Sequence, residues 1–116
     1  MNRDMILVLN LGSRENERLV REIRALGVCS EVRSHDITRE ELDALANVKG
    51  IILNGGPDRV VDGVELDVSK DICNAPMPVL MVDHKGDAPW PEDEEVRKMV
   101  LSTFVFGLCG AEAEAT

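Results

Sequence analysis

Met5-Ile-Leu-Val-Leu9, followed closely by Gly12-Ser13, is the stretch that decides the fold. Five consecutive apolar residues leave no polar face, which suits a strand covered on both sides, as in a parallel sheet. Beyond the Gly-Ser break, Leu19, Val20, Ile23 and Leu26 recur at helical spacing, so an amphipathic helix follows the strand. Ser13 is the expected N-cap, Glu15 and Glu17 complement the positive end of the helix dipole, and Gly27 stops the helix.

The same alternation continues along the chain. Cys29 to Arg33 reads as a second strand, and Thr38-Arg39-Glu40-Glu41 as a capping box opening a helix that carries Leu42, Leu45 and Ala46. Gly50-Ile-Ile-Leu53 is the third strand, ending in Asn54-Gly55-Gly56-Pro57. A loosely periodic helix is expected from Val64 to Cys73. A fourth strand, Val79 to Val82, comes next, and then a polar loop from Asp83 to Trp90. Pro91 suits the first position of a last helix, with Glu92 to Glu95 in its first turn. Its expected apolar face is Val96, Met99, Val100, Phe104 and Leu108.

Strands alternating with helices imply a parallel sheet with right-handed crossovers. The expected architecture is a flavodoxin-like α/β three-layer sandwich of about four parallel strands in the order 2-1-3-4. The first and last helices then share one face. A single domain over residues 1–110, with a disordered acidic tail at 111–116, accounts for a chain of 116 residues.

Composition narrows the function. Twenty-two acids against 13 bases give a formal charge of −9, and aromatics are 3%, which disfavours nucleic-acid binding. The longest apolar runs are far too short to span a bilayer, so no membrane partner is expected. Met-Asn-Arg-Asp ahead of the first strand lacks signal-peptide character, and the expected compartment is the cytoplasm. Cys29, Cys73 and Cys109 are widely spaced and odd in number, and read as small apolar residues rather than a disulfide framework or a zinc site.

In a doubly wound sheet, ligands sit outside the carboxyl ends of the strands. Asn10 to Arg14, Ser34 to Asp36, Asn54 to Pro57 and Asp83 to Gly86 arrive there. Two readings stand for Gly55 and Gly56: a tight turn leaving a strand, or an anion-binding nest of backbone amides. Gly12 and Ser13, before a helix, carry the same pair of readings, capping or anion binding. Asp83 and His84 are weak catalytic candidates, since an aspartate can orient an imidazole, but a nucleophile is also needed. Asp83, His84, Asp87, His35 and Asp36 lack distinctive ligand spacing, so neither a metal nor a cofactor is expected.

Several of these segments resemble the class I glutamine amidotransferase domain of GMP synthase. Val8-Leu-Asn-Leu-Gly-Ser-Arg14 is similar to that family's Val-Leu-Asp-Phe-Gly-Ser-Gln. Gly50-Ile-Ile-Leu-Asn-Gly-Gly-Pro57 resembles its Gly-Ile-Ile-Leu-Ser-Gly-Gly-Pro, whose Gly-Gly-Pro amides help form the oxyanion hole. Pro78-Val-Leu80 resembles the start of the strand leading to the nucleophile elbow. Phe104-Val-Phe-Gly-Leu-Cys-Gly110 resembles the motif that closes the family domain.

The resemblance also locates what is different. The family's nucleophilic cysteine follows the Pro-Val-Leu strand in Gly-Ile-Cys-x-Gly-x-Gln. Here that stretch is Met81-Val82-Asp83-His84-Lys85-Gly86-Asp87, which puts Asp83 at the cysteine's place. The family's His-Pro-Glu pair has no clear counterpart. What the resemblance implies is a shortened, non-catalytic binding or regulatory module. The alternatives are a transferase or hydrolase built around Asp83 and His84, and a stand-alone signalling domain. A homodimer through the fourth strand or the last helix is expected, or a protein partner covering that strand.

Overall fold

The computed structural model describes residues 4–83 and 88–113. Four strands form one parallel sheet: β1 (Met5–Leu11), β2 (Cys29–Ser34), β3 (Val48–Gly55) and the strand Val79–Val82. Two further strands, β4 (Val60–Val61) and β5 (Val64–Glu65), make a separate antiparallel hairpin, so Val79–Val82 is β6. The sheet order is β2-β1-β3-β6, the expected 2-1-3-4 counted within the sheet. The helices are α1 (Asn16–Ala25), α2 (Arg39–Ala44), the single turn α3 (Lys70–Cys73) and α4 (Glu94–Ser102). A π-helical segment, Thr103–Leu108, continues α4.

Two cores sandwich the sheet. Alternate residues of β1 and β3 supply each: Ile6, Val8 and Ile52 meet Leu19, Val20 and Ile23 of α1 with Leu101, Phe104 and Val105 of the last helical segment. Leu7, Leu9, Leu11, Ile51 and Leu53 meet Leu42 of α2 and Ile72 of α3. This is why both strands read as unbroken apolar runs, and why α1 and α4 share a face. Each such fully buried aliphatic side chain contributes roughly 1.5–3 kcal/mol relative to leaving it in water.

Three expectations are corrected. The helix expected from Val64 to Cys73 is the β4–β5 hairpin followed by α3. Asp62 (φ 52°) and Gly63 (φ 78°) form its two-residue turn, where both central positions need positive φ and Asp-Gly supplies them. Ser13 does not cap α1: Glu15 occupies the N-cap without a side-chain bond, and the Ser13 hydroxyl accepts the Glu15 N–H at 3.0 Å one turn earlier. The third correction concerns α4, which buries Arg97 and Leu101, while Val96 and Met99 from the expected face are exposed. The π turn then brings Phe104 and Val105 side by side into the core and leaves Leu108 exposed.

The capping box at Thr38 forms as expected, with Thr38 Oγ1 accepting the Glu41 N–H at 3.1 Å and Glu41 Oε1 accepting the Thr38 N–H. Of the expected acidic tail, Ala111 is buried and the Glu112 N–H donates to Asp4 Oδ2 at 2.9 Å. Residues 114–116 lie outside the described set, as do His84, Lys85, Gly86 and Asp87.

Candidate functional site at the carboxyl end of the sheet

The parallel strands deliver Asn10, Ser34, Asn54 and Asp83 to one end of the sheet. Asp83 leaves β6 with φ 47°, a left-handed conformation that aspartate tolerates better than most residues. A strained turn at a strand end is also where α/β-hydrolases hold a nucleophile clear of the sheet. The Asp83 N–H donates to the Ala88 carbonyl at 3.0 Å. Its carboxylate lies 3.6 Å from Arg59 Nη1, and the same guanidinium donates to the Gly56 carbonyl at 3.2 Å and stands 3.9 Å from Glu65. Arg59 thus ties the hairpin to both strand ends.

The glycines for which turn or cap and anion-binding readings both stand are pressed against the chain itself. A methyl group on Gly55 would collide with the Asp83 carbonyl, and one on Gly56 with Ser13 Cα and the Gly12 carbonyl. Gly12, at φ 109°, lies against the Arg59 and Asp58 backbone. Its carbonyl accepts the Asp58 N–H at 2.9 Å, its N–H donates to Asn10 Oδ1 at 3.0 Å, and it bridges to Gly55. Close approach of three backbone segments accounts for glycine at all three positions. Outside this contact, Arg14 grips Asp58 with two 2.9 Å bonds, and those bonds hold the Asp58 carboxyl below its ordinary range.

A second set of residues, which motif reading did not single out, closes over β3. Asn54 is buried, its amide NH2 donating to Asn16 Oδ1 at 2.9 Å and its oxygen accepting the Trp90 indole N–H at 3.0 Å. Arg97 lies 4.9 Å from the Trp90 ring centre and is fully engaged by Glu22. The chain's one tryptophan therefore roofs the end of β3. Three polar residues at separate chain positions, each ordinary alone, offered no local signal for this network.

The remaining candidates are scattered. His35 and Asp36 sit at the end of β2, where the Ser34 hydroxyl lowers the Asp36 pKa. His35, Ser34 and Asn10 line an open groove of about 730 Å³ beneath Val61 and Val64 of the hairpin. Among the described residues, no group of three or more His, Cys, Asp or Glu side chains could hold a metal. The thiols lie elsewhere: Cys29 begins β2, Cys73 ends α3, and Cys109 rests on Gly50 near the start of β3. Burial pushes the Cys109 thiol up to about 11.

The wound sheet, its Gly-Gly turn and the strand ending at Asp83 define a class. The chain belongs to the class-I glutamine amidotransferase family, whose model matches residues 7–82. Within that family, it is 49% identical over 97% of its length to a putative GMP synthase (glutamine-hydrolysing) 2 of Bacteroides thetaiotaomicron, of which it covers 27%. It is 43% identical to a GMP synthase of Staphylococcus saprophyticus and 44% identical to one of Staphylococcus carnosus. Each of those matches covers 66% of this chain and 15% of the relative. The chain thus spans about a quarter or less of these curated relatives. The Bacteroides likeness covers nearly the whole chain, so it includes most of the stretch beyond Val82.

Proposed function

We propose that this domain is an amidotransferase-like module without glutaminase chemistry, serving as a binding or regulatory unit. Thiol-based glutamine hydrolysis needs an activated thiolate, a base and an oxyanion hole acting together. The observation that carries the reading is Asp83 at the end of β6, in the place the family resemblance gives to cysteine, with its carboxylate beside Arg59. The positions of Cys29, Cys73 and Cys109 support it, because none is at the carboxyl end of the sheet. So does the extent of the family match, which stops at Val82. The relatives' names connect the module to GMP synthesis, and three free cysteines suit a reducing cytoplasm. Among the described residues no helix is long and apolar enough to cross a membrane.

The test is ammonia release from glutamine by the purified chain. The expected result is the uncatalysed rate. Release above that rate, abolished by substituting any one of the three cysteines, would overturn the proposal.

A further inference from the structure

We propose that Asp62-Gly63, at the tip of the β4–β5 hairpin, is a modification site where the chain converts its own aspartate to isoaspartate through a succinimide. This holds whether or not the domain hydrolyses glutamine. The sequence has two pairs open to such chemistry, Asn54-Gly55 and Asp62-Gly63, and in both a glycine leaves the attacking nitrogen unshielded. In an unstructured chain Asn-Gly is the faster of the two. The fold reverses that order.

Cyclisation carries the glycine nitrogen onto the side-chain carbonyl carbon. It needs an accessible side chain, a free leaving group and a backbone able to turn. Asn54 has none of these. It is 1% exposed, its NH2 donates to Asn16 Oδ1, and its oxygen accepts the Trp90 indole N–H. Its backbone is paired with Asn10 on one side and Val82 on the other. Gly55 is pressed against the Asp83 carbonyl and has no room to move.

Asp62 meets all three conditions. Both Asp62 and Gly63 are exposed, and nothing lies within 4 Å of where a Gly63 Cβ would stand. Among the described residues no hydrogen bond or ion pair holds the Asp62 carboxyl. The turn is closed by the Val61–Val64 pair, so the Gly63 N–H lies outside the ladder. The hairpin has two residue pairs and forms a sheet of its own, so it opens locally at low cost. Turning also relieves Asp62, whose φ of 52° is a left-handed conformation held under strain.

The chemistry balances with water alone. The Gly63 nitrogen attacks the Asp62 carboxyl carbon, a C–N bond forms, and the carboxyl OH leaves with the nitrogen's proton as water. Water then reopens the five-membered ring. Addition at the side-chain carbonyl restores aspartate, and addition at the main-chain carbonyl leaves the peptide running through the side chain. The second product inserts one extra backbone atom into a two-residue turn, which breaks the Val61–Val64 pair first. Val61 and Val64 wall the groove over Asn10, Ser34 and His35, so conversion opens that groove as the protein ages.

To test this, the purified whole chain is held at physiological temperature in neutral and in mildly acidic buffer. Cleavage after Lys and Arg then puts Asn54 in peptide 50–59 and Asp62 in peptide 60–70. Peptide 60–70 should split into two peaks of equal mass, the new one labelled by isoaspartyl methyltransferase, while peptide 50–59 keeps its mass. In denaturant the order should invert, with Asn54 deamidating first. Asp62→Glu, which would have to close a six-membered ring, should lose the label. A folded chain in which Asn54 converts first, an order unchanged by denaturant, an unmodified peptide 60–70, or a label there that survives Asp62→Glu would each overturn the proposal.

Discussion

Arg97 closes on Glu22, 75 residues away, with Nη2 2.7 Å from Oε1 and Nε 2.8 Å from Oε2. Only 3% of the arginine side chain is exposed, against 28% of the glutamate. The pair joins α4 to α1 on the sheet face they share. Removing the carboxylate strands a buried cation, so Glu22→Ala should cost about 3 kcal/mol, the lower end for a buried pair because Glu22 is partly wet. Replacing both partners, Glu22→Leu with Arg97→Met, should recover most of that loss. Urea unfolding midpoints of the three proteins would check this.

Glycine substitutions should separate crowding from conformation. Gly55→Ala forces a methyl into the Asp83 carbonyl, a backbone atom that cannot swing aside. A loss of about 3 kcal/mol or more is expected. Gly63→Ala meets no neighbour and carries only the strain of φ 78°, so about 1 kcal/mol is expected. Equal losses at the two sites would contradict the close contact between β3 and β6.

Cysteine reactivity should follow exposure. The thiolate is the reactive form, and with its pKa near 11 only about one Cys109 in a thousand is ionised at pH 8. Brief iodoacetamide treatment at pH 8 should label exposed Cys73 first and Cys109 last. Raising the pH toward 11 should narrow the gap, because the folded-state thiol then ionises without unfolding. Peptide mass spectrometry reads the order directly.

Restoring the missing sulfur should not restore chemistry. Asp83→Cys is expected to leave ammonia release from glutamine at background, since a thiol alone supplies neither base nor substrate contacts. The lost Arg59 contact should cost less than about 1 kcal/mol, because both side chains are substantially exposed. Turnover by this variant would reveal a base already in place.

The sheet was readable because parallel strands packed on both faces carry continuous apolar runs, and residues 5–9 of β1, residues 51–53 of β3 and the whole of β6 are such runs. The phase of α4 was not, because hydrophobic periodicity treats arginine as a surface residue. Arg97 is buried through Glu22 and Trp90, both outside the helix. The hairpin was legible in principle: Asp62-Gly63 between paired valines is a strong turn signal, and the loose apolar spacing beyond it drew the helix reading instead. At the strand ends, the positions of Asp83 and the two glycines followed from the alternation. The Asn16–Asn54–Trp90 bonds did not, since they depend on how the segment after β6 folds back across the sheet.

The π turn over Thr103–Leu108 has a bearing on how this chain could change. There the Cys109 N–H reaches back five residues to Phe104 at 2.9 Å, which widens the helix by about one residue per turn. Loss of any single residue between 103 and 108 would let ordinary α pitch resume. Because the wide turn already holds one residue more than an α turn, everything after it would keep nearly its present orientation, with Cys109 still on Gly50 and Ala111 still in the core. A one-residue deletion is therefore absorbed here, whereas winding the same six residues at ordinary α pitch would turn the terminus by about 100°. At this point in the chain, length and pitch offset one another.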